Sequence, residues 1–133
     1  MMHSAEEFVQ LRQSHCQSDC LRAATDSATV DVWLDVIRRF PEMKVWVAHN
    51  KTVQPEILIM LASDPDSKIR AAVAMKNNLP DKLFAVLACD ADDFVRERIS
   101  YNKKTPAQIL RRLSQDSCKP VAAQARKRLT QSE

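Results

Sequence analysis

Residues 57–74 read ILIMLASDPDSKIRAAVA; the stretch recurs 26 positions on as LFAVLACDADDFVRERIS, residues 83–100, and again as ILRRLSQDSCKPVAAQAR, residues 109–126. Asp64, Asp90 and Asp116 share one position of this unit, and Arg70 and Arg96 stand six residues beyond the first two. Apolar residues hold the other fixed positions: Ile57/Leu83/Ile109, Leu58/Phe84/Leu110, Leu61/Leu87/Leu113, Ile69/Val95/Val121 and Val73/Ile99/Ala125. A single unit cannot bury its own apolar face, so successive units must stack. The expected fold is all-α, a right-handed α-solenoid of about four two-helix repeats over residues 30–133 as one continuous domain, preceded by an N-terminal helical cap over 1–29.

Each repeat divides into two short helices. Pro55, Pro80 and Pro106 precede the first helix, where a missing N–H costs nothing. Thr105 before Pro106 is the expected N-cap of one of them. An Asp-rich turn, 63–67 and again 90–93, precedes the second helix, and acids suit a helix N-terminus as caps and against its dipole. Upstream, 32–40 and 43–50 fit the same template with a one-residue slip, Lys44 taking the arginine position, and residues 5–25 predict one or two further helices. Helices this short are marginal alone and persist by packing on neighbours.

The chain has 133 residues and no glycine. That excludes the phosphate-binding loop, the dinucleotide fingerprint and the glycine-flanked nucleophile elbow. It also leaves asparagine as the expected left-handed residue at helix ends, at Asn50, Asn77 or Asn78, and Asn102. No stretch approaches the length of apolar sequence a membrane span needs. The first ten residues carry two acids and neither lysine nor arginine, unlike a secretory or transit signal, and four cysteines without an evident pairing fit a reducing compartment. A cytoplasmic location is expected, with no membrane partner.

The unit is similar to the bacterial leucine-rich repeat variant, a relative of the HEAT-like helical repeats, in the order Ile57-Leu58, Leu61-Ala62, Asp64, Ile69-Arg70, Val73-Ala74 and Pro80. The Asp and Arg six apart also resemble the pair that bridges neighbouring HEAT repeats. The resemblance spans roughly residues 30–130 and implies a scaffold or recognition surface. One member of the variant family carries an N-terminal iron–sulfur cluster with four cysteine ligands; near this N-terminus stand only Cys16 and Cys20. HEAT-like alkylpurine glycosylases bind damaged DNA on a concave basic face; this chain is much shorter, and their catalytic residues are not mapped onto it.

Asp64, Arg70, Asp90 and Arg96 recur with the repeat, whereas an active site is normally built once, so they are read as a structural ladder of charge-assisted bonds. No catalytic residue, metal site or cofactor is assigned. His15, Cys16 and Cys20 supply fewer than the four ligands of a closed zinc site. The face of the second helices that the core does not claim reads Val45/Ala71/Glu97/Ala123, Trp46/Ala72/Arg98/Gln124 and His49/Met75/Tyr101/Lys127. Trp, Tyr, Arg and Met are enriched at interface cores, so Trp46, His49, Met75, Arg98, Tyr101 and Lys127 are the candidate contacts to another protein. A non-enzymatic adaptor is the expected function, and an inhibitor or immunity-type module is one form it takes.

Charge supports an alternative. Residues 1–94 hold fourteen acids and ten Lys/Arg, net −4, whereas residues 95–133 hold three acids and ten Lys/Arg, net +7. Lys103, Lys104, Arg111 and Arg112, followed by Lys119, Arg126, Lys127 and Arg128, form a basic end suited to phosphates. Aromatic residues make up only 5% of the chain, too few for a series of stacked bases.

Overall fold

A chain without glycine must end its helices by other means, and the computed structural model, which describes residues 1–131, shows how. Among the described residues there are ten α-helices, one 3₁₀ turn and no strand. No helix among them is long and apolar enough to cross a membrane. The helices are α1 (Ala5–Gln13), α2 (Gln17–Thr25), α3 (Val30–Arg39), α4 (Lys44–His49), α5 (Pro55–Leu61), α6 (Ser67–Ala74), α7 (Asp81–Ala88), α8 (Asp93–Tyr101), α9 (Ala107–Leu113) and α10 (Lys119–Gln131), with the 3₁₀ turn at Pro41–Met43. Residues 132 and 133 of the repeat domain expected over 30–133 lie outside the described residues.

The structure divides into two compact units. The first, Met1–Leu61, packs α1 on α2 and α3, and α3 on α4 and α5. Phe8 and Trp33 meet edge to face at 5.1 Å in its core, both fully buried, as are Met2, Val36 and Val47. In the second unit, from Ala62 onward, α8 packs against both α6 and α10, α7 packs against α9, and each of α7 and α9 packs on the helix that follows it. The recurring apolar positions explain this order: Leu83, Phe84, Leu87, Val95, Ile99, Leu110, Leu113, Val121 and Ala125 are all buried, and Ile109 alone among their set is half-buried. Burying one such side chain contributes roughly 1.5–3 kcal/mol.

No described residue has a positive φ, so the expected left-handed asparagines are corrected. Asn50 and Asn102 end α4 and α8 with φ of −63° and −65°. Their side chains do the work instead. Asn50 Nδ2 donates to the Ala23 and Asp26 carbonyls at 2.9 and 3.0 Å, while its Oδ1 accepts from the Thr52 N–H. Asn102 Nδ2 donates to the Ala74 and Lys76 carbonyls at 2.8 and 2.9 Å, and its Oδ1 accepts from the Lys104 N–H. Each amide thus satisfies orphan carbonyls at the end of another helix, which water cannot reach in a buried position. Thr105 is also corrected: its hydroxyl donates to the Ile99 carbonyl at 2.7 Å, and Pro106 stands at the N-cap of α9 without a side-chain cap bond. Pro80 likewise holds the N-cap of α7 rather than its first turn. The acidic turns do cap: Asp66 accepts from the Lys68 N–H and Asp92 from the Phe94 N–H, opening α6 and α8.

Candidate functional site

The recurring Asp and Arg residues tie the helices of the second unit to one another. Arg70 does not pair with the carboxylate six residues before it; it donates to the Asp64 carbonyl at 2.7 Å and grips Asp90 through Nε and Nη2 at 2.8 and 3.1 Å. Arg96 repeats the arrangement, donating to the Asp90 carbonyl at 2.7 Å and to both Asp116 oxygens at 2.8 and 3.2 Å. The same carboxylates accept the N–H two residues on, at Asp92 and Cys118. Hydrogen bonds to Asp90 and Asp116 hold both guanidiniums above their ordinary range. Burial pushes the Asp116 carboxyl up, but the bonds from Arg96 and the Cys118 N–H outweigh it and hold the group below its usual value. Both arginines of the set thus tie a carboxylate of the following repeat position to a backbone carbonyl of their own.

A second face of α8 is open to solvent. Val95 and Ile99 are buried in the core, and Phe94, Arg98 and Tyr101, at i, i+4 and i+7, form a stripe beside that face. Phe94 is 47% and Tyr101 50% exposed. The Arg98 guanidinium lies over both rings, 4.9 Å from the Phe94 centroid and 5.1 Å from that of Tyr101, within cation–π range. Its Nη2 donates to Glu97 at 2.9 Å, while its Nε is buried and has no hydrogen-bond partner. Met75, at the C-cap of α6 and 53% exposed, closes the other side. Between them lies a depression of about 220 Å³, lined by Met75, Asn77, Arg98, Tyr101, Asn102 and Lys103.

Of the expected protein contacts, the structure therefore brings Met75, Arg98 and Tyr101 together. Lys127 is exposed on α10 and does not line the depression. Trp46 and His49 belong to the first unit, where the Arg12 guanidinium sits 3.7 Å over the Trp46 ring and the His49 ring lies 5.8 Å away. Ala71 and Ala72 of the same row are buried, so α6 presents no such stripe of its own. Phe94 escaped the sequence reading. Its signal is the alignment itself: the position holds Lys68 and Pro120 in neighbouring repeats, so an aromatic there is not part of the core pattern.

The basic set separates as well. Lys103, Lys104, Arg111, Arg112, Lys119, Arg126 and Lys127 are exposed. Arg128 is half-buried and donates through Nη1 to the Ser100 and Asn102 carbonyls at 3.0 and 2.8 Å, so it serves the end of α8 as Asn102 serves the end of α6. It stands 26 residues after Asn102, which makes it the repeat's own capping donor in cationic form. At the N-terminal end, Cys20 Sγ donates to the Ser14 carbonyl at 3.3 Å and exposed Cys16 meets the Ser18 hydroxyl, which lowers the thiol's pKa. Among the described residues, no three His, Cys, Asp or Glu side chains gather as metal ligands. A wider depression of about 560 Å³ in the first unit is lined by His3, Asp31, Leu34, Asp35 and Arg38 among others, and Asp35 and Arg38 already pair there at 3.0 Å.

No protein-family model matches the chain, and no curated protein or solved structure is significantly similar to it.

Proposed function

We propose that the chain is a non-enzymatic protein-binding scaffold of the leucine-rich repeat variant or HEAT-like kind, its repeats stacked as a right-handed α-solenoid. The observation that supports it best is the exposed stripe of α8, where Phe94 and Tyr101 flank Arg98 beside Met75. Large apolar side chains left in water cost stability, and aromatic, Met and Arg side chains set close together are the usual anchors of protein interfaces. The polar groups with catalytic potential, Arg70, Asp90, Arg96 and Asp116, are engaged in holding helices to one another, which fits a scaffold better than an enzyme. Trp46 with Arg12 gives the first unit an exposed aromatic–cation pair of its own.

The test replaces Tyr101 with a photo-crosslinking residue and identifies what is captured in the host cell. Capture that is specific to this position and lost in Arg98→Glu, with the thermal transition unchanged, supports the reading. Equal capture from a control position on exposed Val86 of α7 would overturn it.

A second reading is nucleic-acid binding through Lys103, Lys104, Arg111, Arg112, Lys119, Arg126 and Lys127, favoured by the absence of any acid between Arg98 and Gln115. It requires an affinity for duplex DNA or single-stranded RNA that falls steeply between about 50 and 200 mM salt. No binding at the lower salt removes it.

A further inference from the structure

We propose that the depression between α6 and α8 receives an acidic segment of the partner, its carboxylates meeting Arg98 and Lys103 and an apolar side chain lodging between Met75 and Tyr101. The inference rests on the protein-binding reading above and specifies the partner's chemistry. The lining contains two cations and no carboxylate. Four Lys/Arg and no Asp/Glu lie between Arg98 and Gln115, so the chain around the depression favours an acidic ligand. Glu97, the local counter-charge of Arg98, is itself partly exposed and takes only one of its nitrogens, while Nε is left without a partner.

Arg98 is also held in place before any partner arrives. The rings of Phe94 and Tyr101 restrict its guanidinium, so less side-chain freedom is lost on binding. Met75 is unbranched and adapts to the shape of an apolar guest. A depression of about 220 Å³ suits one large side chain and not a second helix. A nucleic-acid strand fits less well: bases need flat rings in series, and the depression offers the single ring of Tyr101 beside a thioether.

The experiment titrates the full chain with four probes: the blocked peptide Asp-Glu-Phe-Glu-Asp, its Phe-to-Ala counterpart, the basic peptide Lys-Lys-Phe-Lys-Lys, and a ten-nucleotide single-stranded DNA. Binding is followed by anisotropy and by the Met75 methyl NMR signal. The acidic Phe peptide is expected to bind at least tenfold more tightly than either other peptide or the DNA, to shift Met75, and to lose at least tenfold in affinity in Lys103→Glu. Lys119→Glu changes the net charge equally from outside the depression and is expected to lose less than threefold. Preference for the DNA, equal binding of the Ala peptide, or equal losses in the two variants would each overturn the inference. Absence of peptide binding while Tyr101 crosslinking stays position-specific refutes the acidic partner and leaves the scaffold; loss of both refutes the scaffold.

Discussion

Removing the Arg96–Asp116 pair tests how the second unit is held together. The pair is bidentate at 2.8 and 3.2 Å, with side chains only 15% and 9% exposed. Exposed pairs contribute about 0.2–1 kcal/mol, whereas breaking a buried one costs about 3–5 kcal/mol. This pair lies near the buried limit but retains some solvent, so a coupling of about 2 kcal/mol is expected from a double-mutant cycle of Arg96→Ala and Asp116→Ala. Arg96→Ala alone should cost about 3 kcal/mol, because it also removes the bond to the Asp90 carbonyl and leaves a carboxylate without its cation. A loss of about 2 kcal/mol corresponds to about 7 °C in Tm if all 133 residues unfold in one transition. The assay is urea denaturation followed by circular dichroism at pH 7 and across the acid range.

The sign of the pH dependence follows from Asp116. Its folded pKa lies below the ordinary Asp value of about 3.9, so its contribution is complete above that value and is lost as pH falls through the lower folded one. The coupling should therefore be undiminished from pH 7 to about pH 4 and shrink further down. The exposed Arg38–Asp35 pair in the first unit, at 79% and 31% exposure, is the control and should couple weakly. A coupling below about 0.5 kcal/mol for Arg96–Asp116, or one indifferent to acid, would refute the ladder as a stabilising device.

Three further outcomes are expected. Asn102→Asp should destabilise more than Asn102→Ala, because a carboxylate offers the Ala74 and Lys76 carbonyls no donor; the alanine change should cost about 2–3 kcal/mol by denaturation. Leu87→Ala, at a fully buried position of α7, should cost about 2–5 kcal/mol and lower the denaturation midpoint without changing its slope. Among the cysteines, exposed Cys16 should alkylate before exposed Cys89 at pH 7–8, since the Ser18 hydroxyl favours the Cys16 thiolate; mass mapping after brief iodoacetamide treatment reads the order.

Helix identity was legible because it depends on local spacing. The runs around Ile57, Leu83 and Leu110 recur with helical periodicity, prolines and acids mark their starts, and the structure places helices there. The core was legible for the same reason: the positions that stay apolar in every repeat are buried, Ile109 alone excepted. The surface was harder. Ala71 and Ala72 share a row with Glu97 and Arg98, yet the first two are buried and the latter half-exposed, because small residues let neighbouring helices close over them. Trp33 and Trp46 look alike in the sequence; one fills a core against Phe8 and the other lies under Arg12 at the surface.

By itself, then, the sequence determined the helices, their apolar faces and the recurrence of Asp and Arg, all properties that neighbours along the chain specify. Only the tertiary structure decided the partners: Arg70 with Asp90, Arg96 with Asp116, and Asn102 and Arg128 with carbonyls 25 to 28 residues earlier. The physical reason is that an arginine fork or an amide can satisfy any acceptor within a few ångströms. Which acceptor that is depends on how far one helix pair is displaced from the next, and that displacement is set by the packing of buried side chains rather than by spacing along the chain.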